Sequence, residues 1–347
     1  MNKANFEHSI NGKSVELFHI FSNNISCYIT NYGARVVSLN TFDKHSKKVD
    51  VVLGFDSIEG YLNASEKYHG ATIGRYANRI ANGAFKIKEN TYTLTQNSNG
   101  NTLHGGINGF HNKVWKCTSH DDEKIVLELI SPEMEEGFPG ELKVEVSYSI
   151  QGSALHIEYK ATSTEDTIIN LTHHSYLNLN GEGSGSILNH LLSINSEYFT
   201  PINSNNVTTG TIDMVSDTPF DFTRKKEIGK EIDIDHDQLT FVNGYDHNFI
   251  LNQYVEGEMN FAAQVVGERS NIKMGVWSTE PGIQFYTAGH LDGSDMGKSG
   301  RYYGSREAFC LETQHFPDSP NHSHFPTTIL KANQKFHSVT EYRFSIV

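Results

Sequence analysis

Glu312 closes an apolar run, Phe309-Cys310-Leu311, and stands just before Thr313-Gln314-His315-Phe316-Pro317-Asp318-Ser319-Pro320, where two prolines and an Asp-Ser pair turn the chain into a loop. A carboxylate at the junction of a rigid strand and a loop is well placed for chemistry. By itself the stretch reads first as a strand-end glutamate in solvent. Four other polar stretches change that reading. Gly74-Arg75-Tyr76-Ala77-Asn78-Arg79-Ile80-Ala81-Asn82-Gly83 sets two arginines and an asparagine between glycines. Asn101-Thr102-Leu103-His104-Gly105-Gly106 follows a histidine with two glycines, which permit close approach of a backbone or a ligand. Asn170-Leu171-Thr172-His173-His174-Ser175-Tyr176-Leu177-Asn178-Leu179 carries adjacent histidines. On a strand these two would face opposite ways, so only one would enter a site. Gly244-Tyr245-Asp246-His247-Asn248-Phe249-Ile250 adds an aspartate. Each stretch alone is open to a structural reading as a turn, a polar rim or a structural histidine. Together they offer the hydrogen-bonding groups that sugar hydroxyls need. Tyr176 and Phe285 could cover the apolar face of a sugar ring, although an aromatic in a strand is more often core. No cofactor motif accompanies them, which leaves proton transfer by Glu and His as the available chemistry.

Other motifs fail on inspection. Gly293-Ser294-Asp295-Met296-Gly297-Lys298-Ser299 has three residues between its glycines where a phosphate-binding loop needs four, and it reads as a surface loop. Gly181, Gly183 and Gly185 lack the βαβ setting of a dinucleotide fingerprint. No Gly-X-Ser-X-Gly elbow is present. His315, His322 and His324 are interrupted by Pro317 and Pro320 and do not form a recognisable ligand set, so no metal is expected.

The elements that must position these residues are strands. Ile25, Cys27 and Ile29 share one face, and Asn31-Tyr32-Gly33 then turns the chain. Phe85 and Ile87 are predicted to pair with Tyr92 and Leu94 around Glu89-Asn90. Leu142, Val144, Val146, Tyr148 and Ile150 alternate with polar residues, Gln151-Gly152 turns, and Leu155, Ile157, Tyr159 and Ala161 alternate back. Ile272, Met274 and Val276 precede Pro281-Gly282, then Ile283 and Phe285. Short helical turns fit only near 57–62 and 235–239. The expected class is all-β, a sandwich or barrel with few short helices, in a single domain spanning 1–347.

Composition agrees. The chain has 347 residues, 37% hydrophobic, with 29 glycines, 16 tyrosines and 20 phenylalanines. A net charge of -13 argues against nucleic-acid backbones and anionic membrane surfaces. Cys27, Cys117 and Cys310 are odd in number and widely spaced, as in a reducing compartment. The first residues, Met1 to His8, contain no apolar signal core, and no stretch approaches a membrane span. A cytoplasmic protein is expected.

With the motifs in hand, the sequence resembles the aldose 1-epimerase (galactose mutarotase) family. The likeness runs through NYGA, GRYANRIANG, LHGG, NLTHHSYLNL, TPFDF, GYDHNF, PGIQFYT and LETQHFPDSPNH, in that order over nearly the whole chain. The resemblance implies a large antiparallel β-sandwich, the galactose mutarotase-like supersandwich, with a sugar cleft. It implies exchange of the α and β anomers of free aldohexoses such as galactose and glucose, without cofactor, by a monomer or homodimer. Carried over by position, it makes Glu312 the general base and His174 the general acid. His104 would assist and bind sugar, and Asn78, Arg79, Asp246 and Gln284 would contact hydroxyls. Four departures stand out: His173 where Asn is common, Leu177 where Phe is common, Thr211 after Gly210 where Glu is frequent, and Ser323-His324 where Pro-Asn is usual. The alternatives are a hexose-6-phosphate 1-epimerase, for which Arg75 and Arg79 are the only obvious cationic pair, and a sugar-binding protein without catalysis.

Overall fold

Alternating apolar and polar side chains become strands because each sheet then has one face to bury. The clearest case is Leu142–Gln151, hairpinned to Ala154–Ser163. The turn is Gly152-Ser153, one residue later than the spacing suggested, because Gln151 still pairs with Ala154. The hairpin of Ala84–Ile87 with Asn90–Thr93 shifts by one the other way and turns at Lys88-Glu89. The computed structural model describes residues 1–347.

The largest sheet has nine antiparallel strands. Its centre is the run 142–151, 154–163, 335–346 and 272–278. A four-stranded sheet holds residues 17–21, 26–30, 35–42 and 48–50, and a five-stranded sheet holds 213–214, 198–200, 246–250, 282–286 and 310–314. One continuous core fills the space between the large sheet and the two smaller ones. Val144, Val146, Ile157 and Val276 from the large sheet join Ile29 and Val36 from the second and Phe249, Ile283, Phe285 and Leu311 from the third. Helix is limited to Ile58–Asn63, capped by the Ser57 hydroxyl accepting from the Gly60 N–H, and Asp237–Val242, beside short 3₁₀ turns. Neither helix is long and apolar enough to cross a membrane.

Two basic side chains that resemble ligand binders are structural. Residues 292–296 form a strand paired with 302–304 rather than a plain loop. Lys298 beside it turns inward, and its Nζ donates to Val37 O, Asp50 Oδ2 and Val52 O at 2.7–2.8 Å. That uses all three of its N–H donors. Arg75 is 2% exposed and donates to Ser131 Oγ and to the carbonyls of Ser131, Pro132, Pro139 and Gly140. Arg75→Met would leave this carbonyl cluster buried and unpaired, at about 1–3 kcal/mol per stranded group before relaxation. We expect a loss of about 3–5 kcal/mol in chemical unfolding, with the activity of the folded fraction largely kept.

Candidate active site

The five-stranded sheet presents alternate residues to opposite sides. On Cys310–Gln314, Leu311 and Thr313 face the large sheet, where Thr313 Oγ1 bonds Thr340 Oγ1 and Tyr342 donates to Leu311 O. Cys310, Glu312 and Gln314 therefore point the other way. Glu312 lies opposite Gln284 on the neighbouring strand, and Gln284 lies opposite Asn248 on the next. A short strand, Thr172–His174, pairs with Ala71–Ile73 and is tied to Cys310–Gln314 by Thr172 Oγ1 donating to Thr313 O at 2.8 Å. Alternation then sorts the two histidines. His173 turns to Tyr148 and Tyr342 of the large sheet and hydrogen-bonds Ser175 Oγ at 2.7 Å. His174 enters a cleft lined by Glu66, Tyr68, Asn78, Arg79, Leu103, His104, His174, Tyr176, Asp246, Tyr286, His290 and Glu312, with about 460 Å³ of empty space opening to solvent.

At the cleft floor, His174 Nε2 lies 3.6 Å from Glu312 Oε1, too long for a hydrogen bond but short enough for the two groups to share a reactant. Both side chains are almost wholly buried. Burial, with the charges of Asp246 and Glu66 adding to it, pushes the Glu312 carboxyl well above the usual range, against the pull of Arg79. Burial holds His174 down at about 3. A raised carboxyl is a strong base once ionised, and a depressed imidazole is a strong acid once protonated. Oε2 of Glu312 has no partner within the protein.

His104 is set differently. Its Nδ1 accepts the Asn78 N–H at 3.1 Å, so the neutral ring carries its proton on Nε2. Burial first, and then the nearby His174 and Arg79, keep it well below its normal range. His104 is thus a neutral donor. The glycine after it has a backbone reason: at φ +83, a Cβ on Gly105 would lie 2.0 Å from Gly74 O. Asp246 is held by Gln284 Nε2 at 2.7 Å and faces Arg79 Nη1 at 3.9 Å. Asn78 Oδ1 accepts the N–H of Arg79. The ligand atoms of His104, His174 and Glu312 all lie within 4.8 Å of one another, so these three are the residues that could hold a small cation.

Asn78, Arg79, His104, His174, Asp246 and Glu312 thus come from separate stretches of the chain into one cleft, and Gln284 stands behind Asp246. Tyr176 lines the cleft and lies over His174 at 4.9 Å. Phe285 does not reach it. As the neighbour of Gln284 in a strand it points into the core against Tyr245 and Phe222. His315, His322 and His324 do not converge on one point: His315 pairs with Glu280, His322 with Asp318, and His324 meets Gly210 O. Thr211 sits on an exposed turn and is not a cleft residue. Glu66, Tyr68, Tyr286 and His290 were not predicted. Tyr68 had one weak signal, its place just ahead of Gly70-Ala71, where the strand that pairs with His174 begins. A larger groove lined by Lys13, Trp115 and Glu128 gathers no acid–base pair.

Comparison with known proteins places this arrangement among relatives. The family model described as aldose 1-epimerase matches residues 17–343. The chain is 41% identical to a galactose mutarotase of Bos taurus over 335 residues, 96% of this chain and 95% of that one. It is 33% identical to an aldose 1-epimerase of Escherichia coli over 327 residues, 93% of each. Among solved structures, a GalM/aldose epimerase homologue from C. elegans superposes with a TM-score of 0.88 at 29% identity, covering 96% of this chain and 99% of that one. A galactose 1-epimerase from Lactobacillus acidophilus superposes with a TM-score of 0.85 at 26% identity, covering 98% and 97%.

Proposed function

The chain belongs to the aldose 1-epimerase family of isomerases, and from that premise we propose that it interconverts the α and β anomers of free aldohexoses such as galactose and glucose by acid–base ring opening. The observation that carries the reading is the buried approach of His174 Nε2 to Glu312 Oε1 in a cleft rich in hydroxyl partners. Glu312 takes the proton of the anomeric hydroxyl while His174 gives one to the ring oxygen. The C1–ring oxygen bond breaks and leaves an aldehyde. Rotation about C1–C2 presents the other carbonyl face, and reclosure returns both protons. Such groups typically contribute about 10²–10⁴-fold each. His104 donates from Nε2 to oxygen as charge develops there. Asn78, Arg79 and Asp246 hold the hydroxyls, and Gln284, from behind, fixes the Asp246 carboxylate. The chain acts as one domain, in the cytoplasm, and its partner is the sugar.

A hexose 6-phosphate finds little support. Arg75 is committed to backbone carbonyls, Arg79 faces Asp246, and Glu66 adds a carboxylate to the cleft. A sugar binder without catalysis would need neither member of the buried pair. Exchange NMR on equilibrated sugars separates these readings. We expect enzyme-dependent exchange between the anomeric signals of galactose and glucose, and little with their 6-phosphates. Exchange confined to the phosphates, or absent altogether, would overturn the proposal.

The pH profile follows from the pair. Its productive form has a carboxylate on Glu312 and a proton on His174, so kcat/KM should be bell-shaped, with limbs belonging to the pair as a unit. The alkaline limb marks loss of the last proton, which the raised Glu312 carboxyl retains. Asp246→Asn removes a charge that raises it, so the alkaline limb should move to lower pH as KM rises. A limb that stays in place would show that Asp246 does not act on Glu312.

A further inference from the structure

We propose that Cys310 is a positioning residue for the general acid: its sulfur accepts the Nδ1–H of His174 and leaves Nε2 as the nitrogen that gains and loses the proton. The inference rests on the acid role of His174 proposed above. Cys310 and Glu312 are two residues apart on one strand and share a face. They bracket a single imidazole. Cys310 Sγ lies 3.6 Å from Nδ1, and Glu312 Oε1 lies 3.6 Å from Nε2. The ring's faces are covered as well, by Tyr176 at 4.9 Å and 27° and by Tyr68 at 5.8 Å and 25°. His104 meets the ring edge at 5.2 Å and Tyr286 lies at 6.5 Å, while His69, His173 and Arg35 oppose protonation of the ring and a hydrogen bond to His174's own backbone favours it. Both Cys310 and His174 are buried, so the contact is shielded from competing water.

Two hydrogen placements fit the sulfur–nitrogen contact. If the thiol donated to a bare Nδ1, the neutral ring would carry its proton on Nε2 and could not take one there when the sugar recloses. If the sulfur accepts from Nδ1–H, the same bond persists in the imidazolium and in the neutral ring, and Nε2 alone exchanges. Only the second serves a reaction that must run in both directions. It mirrors the way a partner on one imidazole nitrogen fixes the role of the other. A carboxylate at this position would also hold Nδ1–H, but it would stabilise the imidazolium and weaken the acid. The thiol avoids this, because burial keeps it well above its normal range and therefore uncharged. His104 shows the opposite arrangement, with Nδ1 accepting from a backbone N–H and the proton on Nε2.

Imidazole ¹⁵N shifts of the uniformly labelled full chain, read beside anomer exchange, test this. In the wild type, neutral His174 should be the Nδ1–H tautomer. Cys310→Ala should mix or invert the tautomer and lower kcat on galactose about 10–100-fold, the usual range for an outer partner. KM should stay within about twofold, since no contact to the sugar is lost. Cys310→Ser, which keeps an acceptor, should restore most of both readouts. A wild-type His174 protonated on Nε2 overturns the proposal, and so does a Cys310→Ala variant that keeps tautomer and kcat. Should Cys310→Ala fail to fold, the wild-type tautomer alone decides. A wild type that leaves galactose at the buffer rate would instead remove the proposed activity, while the tautomer would still test the cysteine contact.

Discussion

Replacing Glu312 with Gln is expected to lower kcat on galactose by about 10²–10⁴-fold and, at neutral pH, to leave the fold as stable as the wild type or more so. The loss follows from chemistry. Gln keeps the shape and one acceptor oxygen but cannot take the proton of the anomeric hydroxyl. The stability effect follows from burial. Glu312 is 2% exposed, its Oε2 has no partner in the protein, and its folded carboxyl titrates well above the usual range. In the unfolded chain it ionises near its ordinary value, about 4.3. Between those two values the unfolded chain sheds a proton that the folded chain keeps, so folding is penalised more as pH rises. Below the unfolded value the penalty vanishes. Gln carries no such penalty. Melting temperatures of the two proteins should therefore converge toward pH 4–5 and separate in favour of the variant toward pH 8. A variant markedly less stable at pH 8 would mean that the carboxylate has folding partners beyond those described.

The second large effect is the contrast between neighbours. His174→Asn should lower kcat by about 10²–10⁴-fold, because the group that protonates the ring oxygen is gone. His173→Asn should change kcat only mildly, though it costs stability. His173 is packed against Tyr148 and Tyr342 with Nε2 on Ser175, on the far side of the same strand. Anomer exchange on matched amounts of folded protein reads the two variants. Equal losses from both would contradict the assignment of His174 alone as the acid.

That the two histidines face opposite ways was legible before any coordinates, because two-residue alternation on a strand needs no tertiary information, whereas the choice of His174 as the acid came from the resemblance. The same logic placed Leu142 to Ile150 in a strand. Local turn chemistry did less well, and both hairpin turns moved by one residue. Glycines and polar residues mark a turn without saying which pair sits at its centre. Arg75 looked like a ligand cation and the Lys298 stretch like a surface loop, because composition cannot say whether a cation meets a ligand, solvent or its own backbone carbonyls. Phe285 was offered to the sugar although its neighbour Gln284 takes the other face of the strand. Glu66, Tyr68 and His290 carried no motif by themselves, and Tyr286 lay in PGIQFYT without being singled out. The first three join the cleft only because the loops at 66–68 and 287–290 fold over the strand that carries Glu312. The pair itself was named from resemblance and not from spacing: 138 residues of sequence hold no record of a 3.6 Å approach.

The most direct test of the Glu312–His174 pair is the optical rotation of freshly dissolved α-galactose, followed with buffer, wild type and Glu312→Gln. The wild type should speed the first-order decay in proportion to its concentration and reach the same final rotation as buffer, while the Glu312→Gln trace should lie close to buffer. A wild-type trace that superimposes on buffer, or a folded Glu312→Gln variant as fast as the wild type, would contradict the account.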